Sequence, residues 1–168
     1  MSASRETLSA APRTPLEIAG EFLNEAPVDV LGMARALGLS VDMQAPLAPE
    51  ISGRITLVNA DPPTYRIEVN RSHSEKRKRF TLAHEIAHYL LHRDLIGDGI
   101  EDNALYRSRL SNEIEAQANR LAARILMPPE LVRKIYRAGV KSLSGLCAAF
   151  EVSEDAMRIR LEQLGLAP

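Results

Sequence analysis

The segment from Phe80 to His92 is so rich in apolar residues that a helix built from it has almost no polar face, yet it carries His84, Glu85 and His88. At roughly 100° per residue, Phe80, Ala87 and Leu91 fall beside the two histidines, while Leu82, Ile86 and Leu90 fall on the far side. The pattern predicts a buried helix. Two imidazoles and a carboxylate in such a place lose their hydration, and buried polar groups must be compensated. The order His-Glu-x-x-His suggests how. Histidines four residues apart share one helical face, and both can reach a single divalent ion at about 2.0–2.1 Å. The intervening glutamate then points toward the coordination position where a water would sit. The plainer alternative is a core helix whose histidines are satisfied by ordinary hydrogen bonds. A chain of this composition produces the bare motif by chance on the order of one time in a hundred, so the motif needs a partner elsewhere.

At 168 residues the chain has room for one full core and a small helical appendage, not two large domains. The formal net charge of -1 implies no global attraction to nucleic acid or anionic membrane. A single cysteine, Cys147, excludes an internal disulfide and reads as a small core residue. No apolar run reaches membrane-spanning length, and residues 1–13 have no signal-peptide core, so a cytoplasmic protein with a flexible N-terminal tail is expected.

Thr14-Pro15 reads as an N-cap and a first-turn proline, opening a helix with Leu16, Ile18, Ala19, Phe22 and Leu23 inward. A second helix near residues 28–37, with Val30, Leu31, Ala34 and Leu37 inward, stops at Gly38. Strands are predicted at residues 39–43, 51–58 and 65–69, the last two joined by the Asp61-Pro62-Pro63-Thr64 turn. Together they imply a small, mainly antiparallel sheet packed against helices, an α+β fold. Ser72-His73-Ser74-Glu75 fits a capping box that starts the histidine-bearing helix. Residues 93–111 read as loop with one turn of helix, and residues 112–127 as another helix, ended by Pro128-Pro129. The boundaries expected are a tail at 1–13, a main domain at 14–130 and a helical C-terminal segment at 131–168 packed on it.

A catalytic zinc takes three protein ligands and leaves one position open. His92 lies about 6 Å further along the helix axis than His88, out of reach of an ion held between His84 and His88, and is assigned to the helix end or pocket rim. The later helix offers a better candidate. Its apolar stripe contains Ile114, Ala118, Leu121, Ala122 and Ile125, and Glu115 lies roughly 70° from the stripe's centre against roughly 130° for Glu113. Glu115 can therefore face inward. Asn119, four residues on, can orient a histidine from the same side.

The run Arg79-Phe80-Thr81-Leu82-Ala83-His84-Glu85-Ile86-Ala87-His88, followed by Glu115-Ala116-Gln117-Ala118-Asn119-Arg120-Leu121-Ala122-Ala123-Arg124-Ile125-Leu126-Met127-Pro128, resembles the ImmA/IrrE family of zinc metallopeptidases. The resemblance spans about Pro27 to Pro129. It implies a zincin-like peptidase domain, His84, His88 and Glu115 as zinc ligands, and Glu85 as general base. It also implies a protein substrate, a DNA-binding helix-turn-helix repressor whose cleavage relieves repression, and a part in stress response. Leu121 stands where the family often has Phe. Similar ligand sets also accept manganese and other divalent ions. Tyr106, Arg109 and His73 are open candidates for stabilising an oxyanion, and an extended substrate could pair with an edge of the sheet.

Two further segments invite other functions. Lys76-Arg77-Lys78-Arg79 radiates in several directions on a helix, without an aromatic platform, and reads as a solvated face. Residues 142–164 resemble a helix-turn-helix, with Leu143, Leu146, Phe150, Met157 and Leu161 as core positions. Its second helix mixes Arg158 and Arg160 with Glu154, Asp155 and Glu162, which disfavours direct nucleic-acid binding. The competing functions are a non-cleaving, metal-containing module that docks a repressor or DNA, and a DNA-binding regulator with an incidental motif.

Overall fold

The computed structural model describes residues 11–97 and 109–168, so the expected tail is largely outside the described residues, as are residues 98–108. Helix α1 spans Pro15–Gly20 and opens with a reciprocal cap, in which Glu17 N–H donates to Thr14 Oγ1 and Thr14 N–H donates to the Glu17 carboxylate. Ala19 is buried, but Leu16 is 58% exposed, because the six-residue helix turns only Ile18 and Ala19 toward the core. Helix α2 spans Val30–Ala36, capped by Asp29, and buries Val30, Met33 and Ala34. Gly38 follows at φ +77°, the left-handed position that glycine adopts without penalty.

Three strands, β1 (Ser40–Ala45), β2 (Gly53–Ala60) and β3 (Pro63–Asn70), form one sheet in the order β1-β3-β2. The longer ladder is the antiparallel β2–β3 hairpin, and β1 joins β3 in parallel with Val41 opposite Ile67. Ile55, Ile67 and Val69 are buried and belong to the hydrophobic core. Gly53 is where helix and sheet come closest. A Cβ there would sit 2.5 Å from Thr81 Cγ2 and 2.8 Å from Glu68 O.

Helix α3 spans Glu75–His92. Its cap is Ser74, whose hydroxyl accepts from Arg77 N–H, rather than the expected Ser72. Ser72 is already engaged, since its N–H and hydroxyl both donate to Asn70 Oδ1, at 3.0 and 2.6 Å. Leu82, Ala83, Ile86 and Ala87 are buried to 2% exposure or less, while Leu91, at 46%, marks an exposed edge near the helix end. A 3-10 turn at Arg93–Leu95 follows.

Helix α4 (Arg109–Leu126) packs along α3, burying Ala118, Ala122 and Ile125. Small residues on both helices permit a close approach, which sets the distance across which their polar side chains meet. Helix α5 (Pro129–Arg137) starts directly after Pro128. The C-terminal pair, α6 (Leu143–Phe150) and α7 (Glu154–Leu164), turns through Glu151 at φ +52°. Leu146, Phe150, Met157 and Leu161 join the same hydrophobic core as Val28 and Ile86. The basic run is only half solvated. Lys76 and Arg77 are exposed, but Lys78 is 4% exposed, and Arg79 reaches inward to donate to Val28 O at 3.1 Å and Phe150 O at 3.5 Å. Arg79 thereby ties the C-terminal pair to α3. Burial holds its pKa below the usual arginine value, opposed by the charges of Glu151 and Asp29.

Candidate metal centre

Helical spacing on α3 sets His84 and His88 one turn apart, and the close packing of α4 brings Glu115 across to them. The result is a triangle of donor atoms. His84 Nε2 and His88 Nε2 are 3.0 Å apart, His84 Nε2 is 3.1 Å from Glu115 Oε2, and His88 Nε2 is 3.0 Å from Glu115 Oε1. Among the described residues, these three form the one such group of His, Cys, Asp and Glu placed to hold an ion. The histidine side chains are 14% and 12% exposed and the glutamate 32%, so the triangle opens to solvent on the side of α4.

This arrangement fits a divalent cation. Ligands held at about 2.0–2.1 Å in tetrahedral directions lie about 3.3 Å from one another, close to the spacing seen. Two imidazole nitrogens facing each other and a carboxylate also need positive charge between them. Hydrogen bonds from His84 and then His88 hold the Glu115 carboxyl well below the usual carboxylate range, against the opposing effect of burial. At His84, burial lowers the pKa, but the Glu115 hydrogen bond, the Glu85 and Glu115 charges and the Asn119 amide outweigh it and leave it raised. The centre is electronegative enough to draw a cation.

Glu85 lies next to His84 on the buried side of α3, at 7% exposure, and is outside the donor triangle. Asn119 lies on the same side of α4 as Glu115, and its side-chain hydrogen bond helps to raise the His84 pKa after the larger effects of Glu115 and Glu85, although His84 Nδ1 has no partner of ordinary hydrogen-bond geometry. His92 is the last residue of α3, the helix-end alternative of the sequence reading, but it is 8% exposed and not on an open rim, with Nδ1 3.1 Å from His88 Nδ1 and Nε2 2.9 Å from Gln117 Oε1. The reach argument excludes it from the ion side of His88 and leaves the other ring nitrogen open to it. The i, i+4 spacing of His88 and His92 could have signalled this contact; Gln117 had no signal in the sequence.

Of the oxyanion candidates, Tyr106 lies outside the described residues, as does the side chain of Arg109. His73 Nε2 is 3.3 Å from Pro49 O, tied to the loop before β2. The outer edge of β2 is engaged at Leu57, whose N–H donates to Gly97 O at 2.9 Å, so a substrate strand pairing there must displace that contact.

Residues 43–162 match the peptidase M78 family model, described as the IrrE N-terminal-like domain. The radiation response metalloprotease IrrE of Deinococcus radiodurans is 41% identical over 101 residues, covering 57% of this chain and 30% of that protein. Its namesake from Deinococcus deserti is 42% identical over 74 residues, covering 43% of this chain and 26% of that protein. The chain therefore spans less than a third of the length of either relative. A solved Mycobacterium tuberculosis transcriptional regulator shares the fold, with a TM-score of 0.52 at 16% identity, over 88% of this chain and 40% of that one. A family match across most of the chain, on a fold that assembles a His-His-Glu cluster, makes this protein a member of the IrrE N-terminal-like M78 metallopeptidase family.

Proposed function

We propose that the protein is a zinc-dependent endopeptidase that hydrolyses a peptide bond in a cytoplasmic protein, a DNA-binding helix-turn-helix repressor, and so relieves repression. The observation that carries the catalytic reading is the convergence of His84 Nε2, His88 Nε2 and Glu115 within 3.1 Å of one another, with Glu85 one residue from the first ligand. His84, His88 and Glu115 would hold the ion, which when bound supplies a Lewis acid that polarises the scissile carbonyl and acidifies water. Glu85 accepts the proton of the attacking water and returns it to the leaving amine. A purely structural site has no use for a carboxylate in that place.

The repressor assignment rests on the family resemblance, and the stress-response context on the printed names of the Deinococcus relatives. No helix among the described residues is long and apolar enough to cross a membrane. The test is incubation of the zinc-loaded protein with the repressor encoded beside it, followed by mass analysis for a defined cut. Glu85→Gln should retain metal and bind the repressor but leave it intact. Undiminished cleavage by that variant refutes the mechanism, and binding without cleavage by the wild type supports the non-cleaving docking module instead.

A further inference from the structure

Resting on the reading of His84, His88 and Glu115 as a metal site, we infer that His92 and Gln117 form a positioning relay that fixes the tautomer of His88. Two Nδ1 atoms 3.1 Å apart, on His88 and His92, share a single hydrogen, so one ring donates and the other accepts. Gln117 decides which. Its Oε1, 2.9 Å from His92 Nε2, can only accept, so the His92 hydrogen sits on Nε2. When an ion takes the His88 Nε2 lone pair, in place of the hydrogen that Nε2 otherwise donates to Glu115, the shared hydrogen belongs to His88 Nδ1 and His92 Nδ1 accepts it. His88 Nε2 then faces the space it shares with His84 Nε2 and Glu115 Oε1, 3.0 Å from each.

The polarity of the chain is therefore chemically consequential. If the Gln117 amide were reversed, its N–H would donate to His92 Nε2, His92 Nδ1–H would donate to His88, and the hydrogen of His88 would move to Nε2. That ring could no longer bind an ion. The contrast with His84, whose Nδ1 is buried without a partner, shows that the two histidines are not equivalent: His88 is held as a ligand by the protein, His84 by what it faces. Gln117 lies two residues after Glu115 on α4, so the helix that delivers the carboxylate also delivers the group that orients its neighbour. Burial of His92 at 8% exposure keeps water from replacing either hydrogen bond.

Long-range proton–nitrogen correlation spectra of the zinc-loaded, 15N-labelled wild type read the tautomers without any substitution. His88 should carry its hydrogen on Nδ1 and His92 on Nε2, and a hydrogen on His92 Nδ1 with Nε2 bare overturns the relay. Zinc affinity, measured by competition with a chromophoric chelator, gives the second readout. Gln117→Leu should weaken binding on the order of 10–100-fold, whereas Gln117→Glu, which keeps an oxygen acceptor, should stay within about threefold of wild type. Equal affinities for the two variants overturn the inference. If the wild type binds no zinc, the metal reading itself falls with it; if it binds zinc with an affinity blind to Gln117, the relay alone falls.

Discussion

Asn70 should prove one of the most costly polar residues to lose, although it is far from the donor triangle in sequence. Its side chain is completely buried at the end of β3. The amide nitrogen donates to Ala48 O at 2.9 Å and Ile51 O at 2.8 Å, with Leu47 O at 3.3 Å, and the amide oxygen accepts from Ser72 N–H and hydroxyl. One side chain thus ties residues 47–51 to the entry of α3, a connection extended by Arg77 Nη2 donating to Ser52 Oγ. Asn70→Ala removes four good hydrogen bonds worth about 0.5–1.5 kcal/mol each, and water entering the exposed loop recovers part of that. The expected loss is about 2–4 kcal/mol, or a fall in Tm of roughly 5–15 °C for a chain of this size. Asn70→Asp should cost at least as much despite its shape, because it turns a carboxylate oxygen toward two carbonyls. Urea unfolding of both variants measures the loss. A change below about 1 kcal/mol for Asn70→Ala, or a wild-type midpoint for Asn70→Asp, refutes the hub reasoning.

Three more outcomes follow from the structure. Gly53→Ala forces a Cβ to within 2.5 Å of Thr81 Cγ2 and should destabilise the fold by about 1–3 kcal/mol in urea titration, whereas Gly20→Ala, with open space around it, should not. Zinc at about a hundred times its Kd should add about 2.7 kcal/mol to wild-type stability and raise its Tm, an increment that Glu115→Ala or a chelator should abolish. Glu17, whose carboxyl is held below the usual range first by the Thr14 backbone hydrogen bond and then by the Thr14 hydroxyl, stabilises the start of α1 above the ordinary glutamate pKa. That contribution should be lost as pH falls through the lowered value, seen as an upfield move of the Thr14 amide proton.

The helices and strands were legible because apolar spacing and turn chemistry agree along most of the chain. Thr14-Pro15, Asp61-Pro62-Pro63-Thr64, Gly38 and Met127-Pro128-Pro129 all mark element ends near where they fall. The departures arise where a hydrogen-bond partner outside the apolar pattern decides a local choice. Ser72 loses the cap of α3 to Ser74 because a buried Asn70 claims both its donors, which local spacing does not reveal. Arg79 leaves the solvated face because Val28 and Phe150 offer carbonyls across the fold, while the buried Lys78 turns back to Glu75 on its own helix. The meeting of Glu115 with the two histidines was legible from its angle on the apolar stripe. His92 was not, because helix geometry alone places it relative to the ion but not relative to Gln117.

The central claim is a three-ligand centre that leaves one position open beside Glu85. An anomalous difference map from crystals of the zinc-loaded protein, recorded at the zinc absorption edge, addresses it directly. A single peak is expected at about 2.0–2.2 Å from His84 Nε2, His88 Nε2 and a Glu115 carboxylate oxygen, with Glu85 beyond bonding distance. A peak elsewhere, or one bonded to Glu85 so that the fourth position is closed by protein, would contradict the account.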